Sequence, residues 1–160
     1  MAENKTNVMR VLDQKKIHYQ AHSYPHGDDA VDGITVAGLI GRDPSCVFKT
    51  LVARGVSKTC YVFVIPVAKE LDLKKAARAV GEKAIAMVHV SELLALTGYV
   101  RGGCSPIGMK KRYKTVLDDS ALSCETVIVS AGKIGSQAEL SPQDLIGLCG
   151  ALTAQLTTGD

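Results

Sequence analysis

His18, His22 and His26 recur every four residues. On a helix that spacing would stack three imidazoles on one face, an arrangement that can hold a metal ion for hydrolysis. Tyr19, Tyr24 and Pro25 favour extended backbone instead, on which His18 and His26 lie roughly 26 Å apart. No metal is therefore expected. The run Gly103-Cys104-Ser105-Pro106-Ile107-Gly108 looks at first like a nucleophile elbow, but Ile107 stands where that turn needs glycine. His89 has no positioned acid beside it in the sequence to complete a serine triad. Neither a phosphate-binding Gly-x-x-x-x-Gly-Lys-Ser/Thr loop nor a Gly-x-Gly-x-x-Gly turn after a strand is present, so ATP and NAD chemistry have no support. Lys49 sits inside the apolar run Val47-Phe48-Lys49-Thr50-Leu51-Val52. A strand lysine of this kind generally faces solvent, so composition alone assigns it no role.

The five cysteines, Cys46, Cys60, Cys104, Cys124 and Cys149, are odd in number, widely spread and without a Cys-x-x-Cys pair. They read as reduced thiols packed as small apolar groups. The net charge of +3 is too mild to identify a nucleic-acid binder. Two basic groups are more informative: Lys110, Lys111, Arg112 and Lys114, and Lys74, Lys75 and Arg78. Such groups are commonly solvated faces and sometimes phosphate contacts.

These side chains must be positioned by a core that is 46% hydrophobic but only 4% aromatic and without Trp, hence built from Val, Leu, Ile and Ala. The 160 residues suit one domain, taken here as spanning 1–160. The longest uncharged apolar stretch, residues 59–68, is far short of the roughly 20 that span a bilayer. The first five residues lead into a polar segment and not an apolar run with a cleavage site. The expected location is the cytoplasm.

Helical spacing of Val8, Met9, Val11 and Leu12 after Thr6 predicts a short amphipathic helix ending near Lys16. An extended stretch over 19–24 follows, then a loop over 26–33 and a helix over 35–40 closed by Gly41. Residues 47–54 and 59–66 form the strongest hairpin signal. Asp72 caps a helix running to about Val80. A strand is expected over 84–88, then a helix capped by Ser91 that stops at Gly98. The segment 98–108 is too rich in Gly and Pro for regular structure. Strands are expected at 116–117 and 126–130, and a last helix starts at Ser141-Pro142-Gln143-Asp144. The irregular interleaving argues against a doubly wound sheet. The expected class is α+β, a mixed, barrel-like β-sheet surrounded by helices.

Phe48-Lys49-Thr50-Leu51, Pro66-Val67-Ala68, Leu71-Asp72-Leu73-Lys74-Lys75, Thr97-Gly98-Tyr99, the run from Gly102 to Lys111, and Val129-Ser130-Ala131-Gly132-Lys133 occur in the order and spacing of the YbaK family. The chain resembles that family of bacterial Cys-tRNA(Pro) deacylases from about Val8 to Leu148. The family is similar to the editing insertion of bacterial prolyl-tRNA synthetase, and its fold agrees with the mixed sheet expected above. The resemblance implies an enzyme that removes cysteine from mischarged Cys-tRNA(Pro) without a cofactor, and leaves Cys-tRNA(Cys) open as a second substrate. Editing is needed because a hydrophobic pocket separates amino acids of nearly equal size by only about 1–3 kcal/mol.

Carried over residue by residue, the resemblance makes Lys49 the catalytic lysine and Tyr24, Thr50, Gly102, Gly103 and Ser130 the substrate-binding set. It implies an ammonium at Lys49 for the terminal adenosine or its phosphate, and amides near Gly102 and Gly103 for the developing oxyanion. It also implies substrate assistance, in which the thiol of the bound cysteine attacks its own carbonyl and leaves as a thiolactone. Two positions depart from the family: Asp32, where an aromatic residue is common, and Gln137, where Asp is common. The implied partners are aminoacylated tRNA and prolyl-tRNA synthetase; no membrane is implied, and a homo-oligomer is left open. Two other functions compete, deacylation of another mischarged tRNA such as Ala-tRNA(Pro), and a non-catalytic module docking on tRNA or synthetase. Lys49 and the Gly102-Gly103 loop favour the enzyme, since an adaptor has no need of them.

Overall fold

Thr6 caps the first helix, α1 (Asn7–Gln14), its hydroxyl accepting the Met9 amide. The computed structural model describes residues 5–158. β1 (Gln20–Ser23) follows, extended as Tyr19, Tyr24 and Pro25 required. α2 (Gly33–Ile40) starts two residues earlier than its apolar pattern predicts, because the Asp32 carboxylate accepts the Thr35 amide and caps it. The hairpin is β2 (Phe48–Gly55) and β3 (Cys60–Pro66), antiparallel from Phe48↔Pro66 to Arg54↔Cys60. α3 (Leu73–Val80) is capped by Asp72, which accepts the amides of both Lys74 and Lys75, a contribution of about 1 kcal/mol.

β4 (Ile85–Met87) and α4 (Val90–Thr97) come next. The cap of α4 is His89 and not Ser91: its ring accepts the Ser91 amide while Glu92 reaches back to the His89 amide, a reciprocal pairing that a histidine cap conceals in the sequence. β5 (Lys114–Asp118), β6 (Val127–Ser130), β7 (Ser136–Leu140), α5 (Pro142–Cys149) and β8 (Leu152–Ala154) complete the chain. Ser141 caps α5 with Pro142 in its first turn, as its sequence predicts. Strands β7 and β8 were not expected. Ser136-Gln137-Ala138-Glu139-Leu140 lacks β-branched residues, and its extended form is imposed by partners on both edges.

The architecture is α+β. One sheet has the order β4-β2-β3-β5-β8, with β3–β5 and β5–β8 parallel and the rest antiparallel; the other is β1-β7-β6, antiparallel throughout. A parallel bridge, Val47↔Ile128, joins the two. The strands do not close into a barrel. Central β3 is buried on both faces, which is why it reads as an unbroken apolar run. Val62 and Val64 face α1 and α5 through Val8, Leu12 and Leu145, whereas Phe63 and Ile65 face α3 through Ala76 and Ala77.

Cys46 and Cys124 precede the two bridging strands and are joined in a disulfide, with Cα atoms 6.0 Å apart. This corrects the expectation of five reduced thiols; the approach is made by the Val47↔Ile128 bridge, which sequence spacing cannot reveal. Cys60, Cys104 and Cys149 are free.

Candidate active site

Where the two sheets meet, the beginning of β2, the end of β6, the start of β7 and α2 leave a cavity of about 110 Å³. Drug-sized sites run to roughly 300–1,000 Å³, so this one suits a small group such as a short side chain. Tyr24, Lys49, Thr50, Gly102 and Ser130 all line it, brought together from four separated stretches of chain. Gln137 and Cys104 line it too. Gln137 is buried opposite Ser130 in the β6–β7 register. The family resemblance marks this position as a departure, but no local pattern does, because β7 is hidden.

Lys49 is half-buried, and among the described residues no carboxylate lies within 4 Å of its ammonium. A partly desolvated cation without a partner carries a cost that an electron-rich ligand would relieve. Thr50 carries the buried side-chain oxygen that is unpaired among the described residues. Such a group has lost its water without gaining a partner, which in a cavity wall points to a ligand. Ser130 is spent differently: its hydroxyl accepts the Gly132 amide at 3.1 Å and shapes the turn after β6.

The glycine pair divides its roles. Gly102 lines the cavity with φ +85°, and a Cβ there would lie 2.7 Å from that of Ala30. Its amide has no hydrogen-bond partner among the described residues. Gly103 neither lines the cavity nor offers its amide, which donates to Val100 O at 3.0 Å. Gly103 therefore stands behind the cavity wall and not in it. Its missing side chain lets the loop pack against the backbone of Lys133 and Ile134.

Among the described residues no aspartate, glutamate or histidine lines the cavity. Its one thiol, Cys104, is pushed up to about 11 by burial and stays protonated at neutral pH. The wall therefore offers donors and a cation, but no general base and no activated nucleophile.

The three spaced histidines do not converge. His26 stacks edge-on against Tyr24 and bonds Gly27 O, whereas His22 bonds Glu139 at 2.7 Å. Glu139 also accepts from Arg42, just past α2, and from Thr126, tying α2 to the smaller sheet beside the cavity. Burial raises the pKa of Glu139, but the hydrogen bonds from Thr126, His22 and Arg42 together outweigh it and hold the carboxyl below its ordinary 4.5. A depressed folded pKa gives stability that is present above that ordinary value and lost as pH falls toward the lowered one. Glu139→Gln is expected to lower the melting temperature at pH 7, by a margin that shrinks as the pH is taken below 4.5; melting curves across pH test this.

The model of the aminoacyl-tRNA editing domain family matches residues 29–148. A protein of Enterococcus faecalis (strain ATCC 700802 / V583), provisionally named Cys-tRNA(Pro)/Cys-tRNA(Cys) deacylase EbsC, is 44% identical over 156 residues, covering 98% of this chain and 95% of that protein. Among solved structures, a provisionally named trans-editing enzyme for prolyl tRNA synthetase superposes with a TM-score of 0.84 at 25% identity, covering 98% of this chain and 100% of the other. A scaffold used for computational epitope grafting has the same TM-score at 27% identity, over 96% of each chain.

Proposed function

The chain belongs to the aminoacyl-tRNA editing domain family, and we propose that it removes cysteine from mischarged Cys-tRNA(Pro), with Cys-tRNA(Cys) as a second substrate. It is an aminoacyl-tRNA deacylase. The observation that carries the choice of cysteine is the wall itself: a small cavity with a cation and hydrogen-bond donors but no carboxylate, imidazole or ionised thiol. Water has no base here to activate it. The substrate must supply its own nucleophile, and the thiol of a bound cysteinyl group can.

In this mechanism the substrate sulfur attacks its own ester carbonyl. A carbon–sulfur bond forms, the bond to the terminal ribose oxygen breaks, and the thiol proton ends on that oxygen as the tRNA leaves. The product is a cysteine thiolactone. The Gly102 amide and the Lys49 ammonium stabilise the negative charge that builds on the carbonyl oxygen, an effect with most force in a site sheltered from water. The Thr50 hydroxyl holds the aminoacyl group, Tyr24 and Ser130 bound it, and Gln137 faces its amino end. Alanine fits the same space and has no thiol, so selection is chemical as well as steric.

The enzyme works in the cytoplasm, where charged tRNA is, with prolyl-tRNA synthetase as the partner that presents the error. Disulfides are rare in that compartment. Neither Cys46 nor Cys124 lines the cavity, so their link takes no direct part in the chemistry. The test is release of cysteine from Cys-tRNA(Pro) beside release of alanine from Ala-tRNA(Pro). Cysteine alone should be freed, with thiolactone trapped in the product. Release of both would replace the thiol route by water, and release of neither would leave a binding module.

A further inference from the structure

Resting on the reading that the substrate is a charged tRNA, we infer that the groove between the end of α1 and the segment 106–115 is the seat for the phosphate backbone of the tRNA acceptor end. This groove has a volume of about 230 Å³. Its floor is apolar, from Ile107, Met109 and Leu148, and its cations are Lys15, Lys111 and Arg112, all exposed. Among the described residues no aspartate or glutamate lines it. Among the described residues none of these three cations has a carboxylate within 4 Å. Three unpaired positive charges held around one concavity are what a polyanion neutralises, releasing its counterions.

The groove and the cavity share one piece of chain. Gly102 and Cys104 line the cavity, and the segment continues directly into the groove. Lys111 is seven positions beyond Cys104, so the two sites lie at most about 25 Å apart. That span fits the aminoacyl group in the cavity and the phosphates of the terminal nucleotides in the groove. The segment is also held firmly: Tyr99 Oη donates to Ile107 O at 2.5 Å, and Asn7 Nδ2 to Gly108 O at 3.4 Å.

Charge is distributed to match. β5 begins at Lys114 beside the basic groove and ends at Asp118, which with Asp119 and Asp43 lines a separate groove of about 340 Å³ where three carboxylates face one cation, Lys69. The mild net charge of +3 thus conceals a strong separation along the length of one strand. The other basic group is less available, because Lys75 Nζ donates to Thr157 O at 2.8 Å and Asp72 lies at the head of the same helix.

The experiment compares wild type with Lys111→Glu/Arg112→Glu in two arms. In the first, binding of uncharged tRNA is followed against salt; the variant should bind at least tenfold more weakly at moderate salt, and the slope of log K against log salt should shrink by about two. In the second, kcat/KM is measured on Cys-tRNA(Pro) and on the cysteinyl ester of adenosine; the variant should lose at least tenfold on the first and keep the second. Lys74→Glu is the control, with binding unchanged. Equal binding and slope in wild type and variant would overturn the groove assignment whatever the catalysis. Failure of the wild type to release cysteine from either substrate would instead overturn the deacylase reading, with the binding arm still deciding the groove. Unchanged melting temperatures confirm that both charge reversals remain folded.

Discussion

Lys49→Met is expected to lower cysteine release from Cys-tRNA(Pro) by 10²- to 10³-fold or more, about the loss that follows removal of one oxyanion donor, while leaving the melting temperature unchanged or slightly higher. The two effects have one cause. The Lys49 ammonium is half-buried and has no carboxylate partner among the described residues, so no ion pair there is lost with it. In the proposed mechanism its charge finds a partner when the ester carbonyl becomes an oxyanion. Stability given up for such a site is returned when the site is removed. The measurement is single-turnover release beside a thermal melt; a variant that is both active and less stable would make Lys49 a structural residue. Lys49→Arg tests geometry, since the charge is kept while the planar, forked head changes where the donors lie.

The second large effect is expected from Gly103→Ala. An added Cβ would lie 2.8 Å from Lys133 Cα, 3.0 Å from its carbonyl carbon and 3.1 Å from the Ile134 nitrogen. These are backbone atoms, so no side-chain rotation relieves the overlap and one of the two loops must move. Overpacking of this kind costs about 1–3 kcal/mol, and a shift of about 1 Å at the neighbouring Gly102 amide would cost roughly 10²-fold in rate. The loss should fall mainly on kcat, because Gly103 lines no part of the cavity. Cysteine release and a melt on the same preparation check both halves. Full activity would place the useful amide elsewhere than Gly102.

How much of this was legible in the sequence depended on the range of the interactions involved. Thr6, Asp72 and Ser141 announce helices because a cap acts within three residues. The β2–β3 hairpin is readable for the same reason, its two apolar runs being separated by a short polar turn. β7 was not readable, because a strand held by β1 on one edge and β6 on the other needs no strong preference of its own. Losing β7 also hides Glu139, and leaves Gln137 marked by the family resemblance alone. Lys49 shows the limit most clearly. Its type and place in an apolar run indicate a solvent-facing lysine, and the resemblance to a family alone singled it out. What makes it exceptional is the cavity built around it by α2 and β6, which no local pattern describes. The disulfide is another long-range product, its two cysteines 78 positions apart.

The pairing of β1 with β7 also governs when the enzyme comes into existence. Gln20 meets Glu139, some 120 positions further along. At roughly 5–20 residues per second a ribosome takes on the order of 6–24 s to bridge that interval. The β2–β3 hairpin is complete long before, and with so little loop to close it can form early. Tyr24 waits at the end of an unpaired strand until Gln137 emerges to form the opposite side of the cavity. A chain released before β7 therefore carries no editing site at all. It also exposes two open strand edges, β1 and β6, which invite pairing with other chains. Quality control of translation by this protein begins only once its own translation is nearly finished.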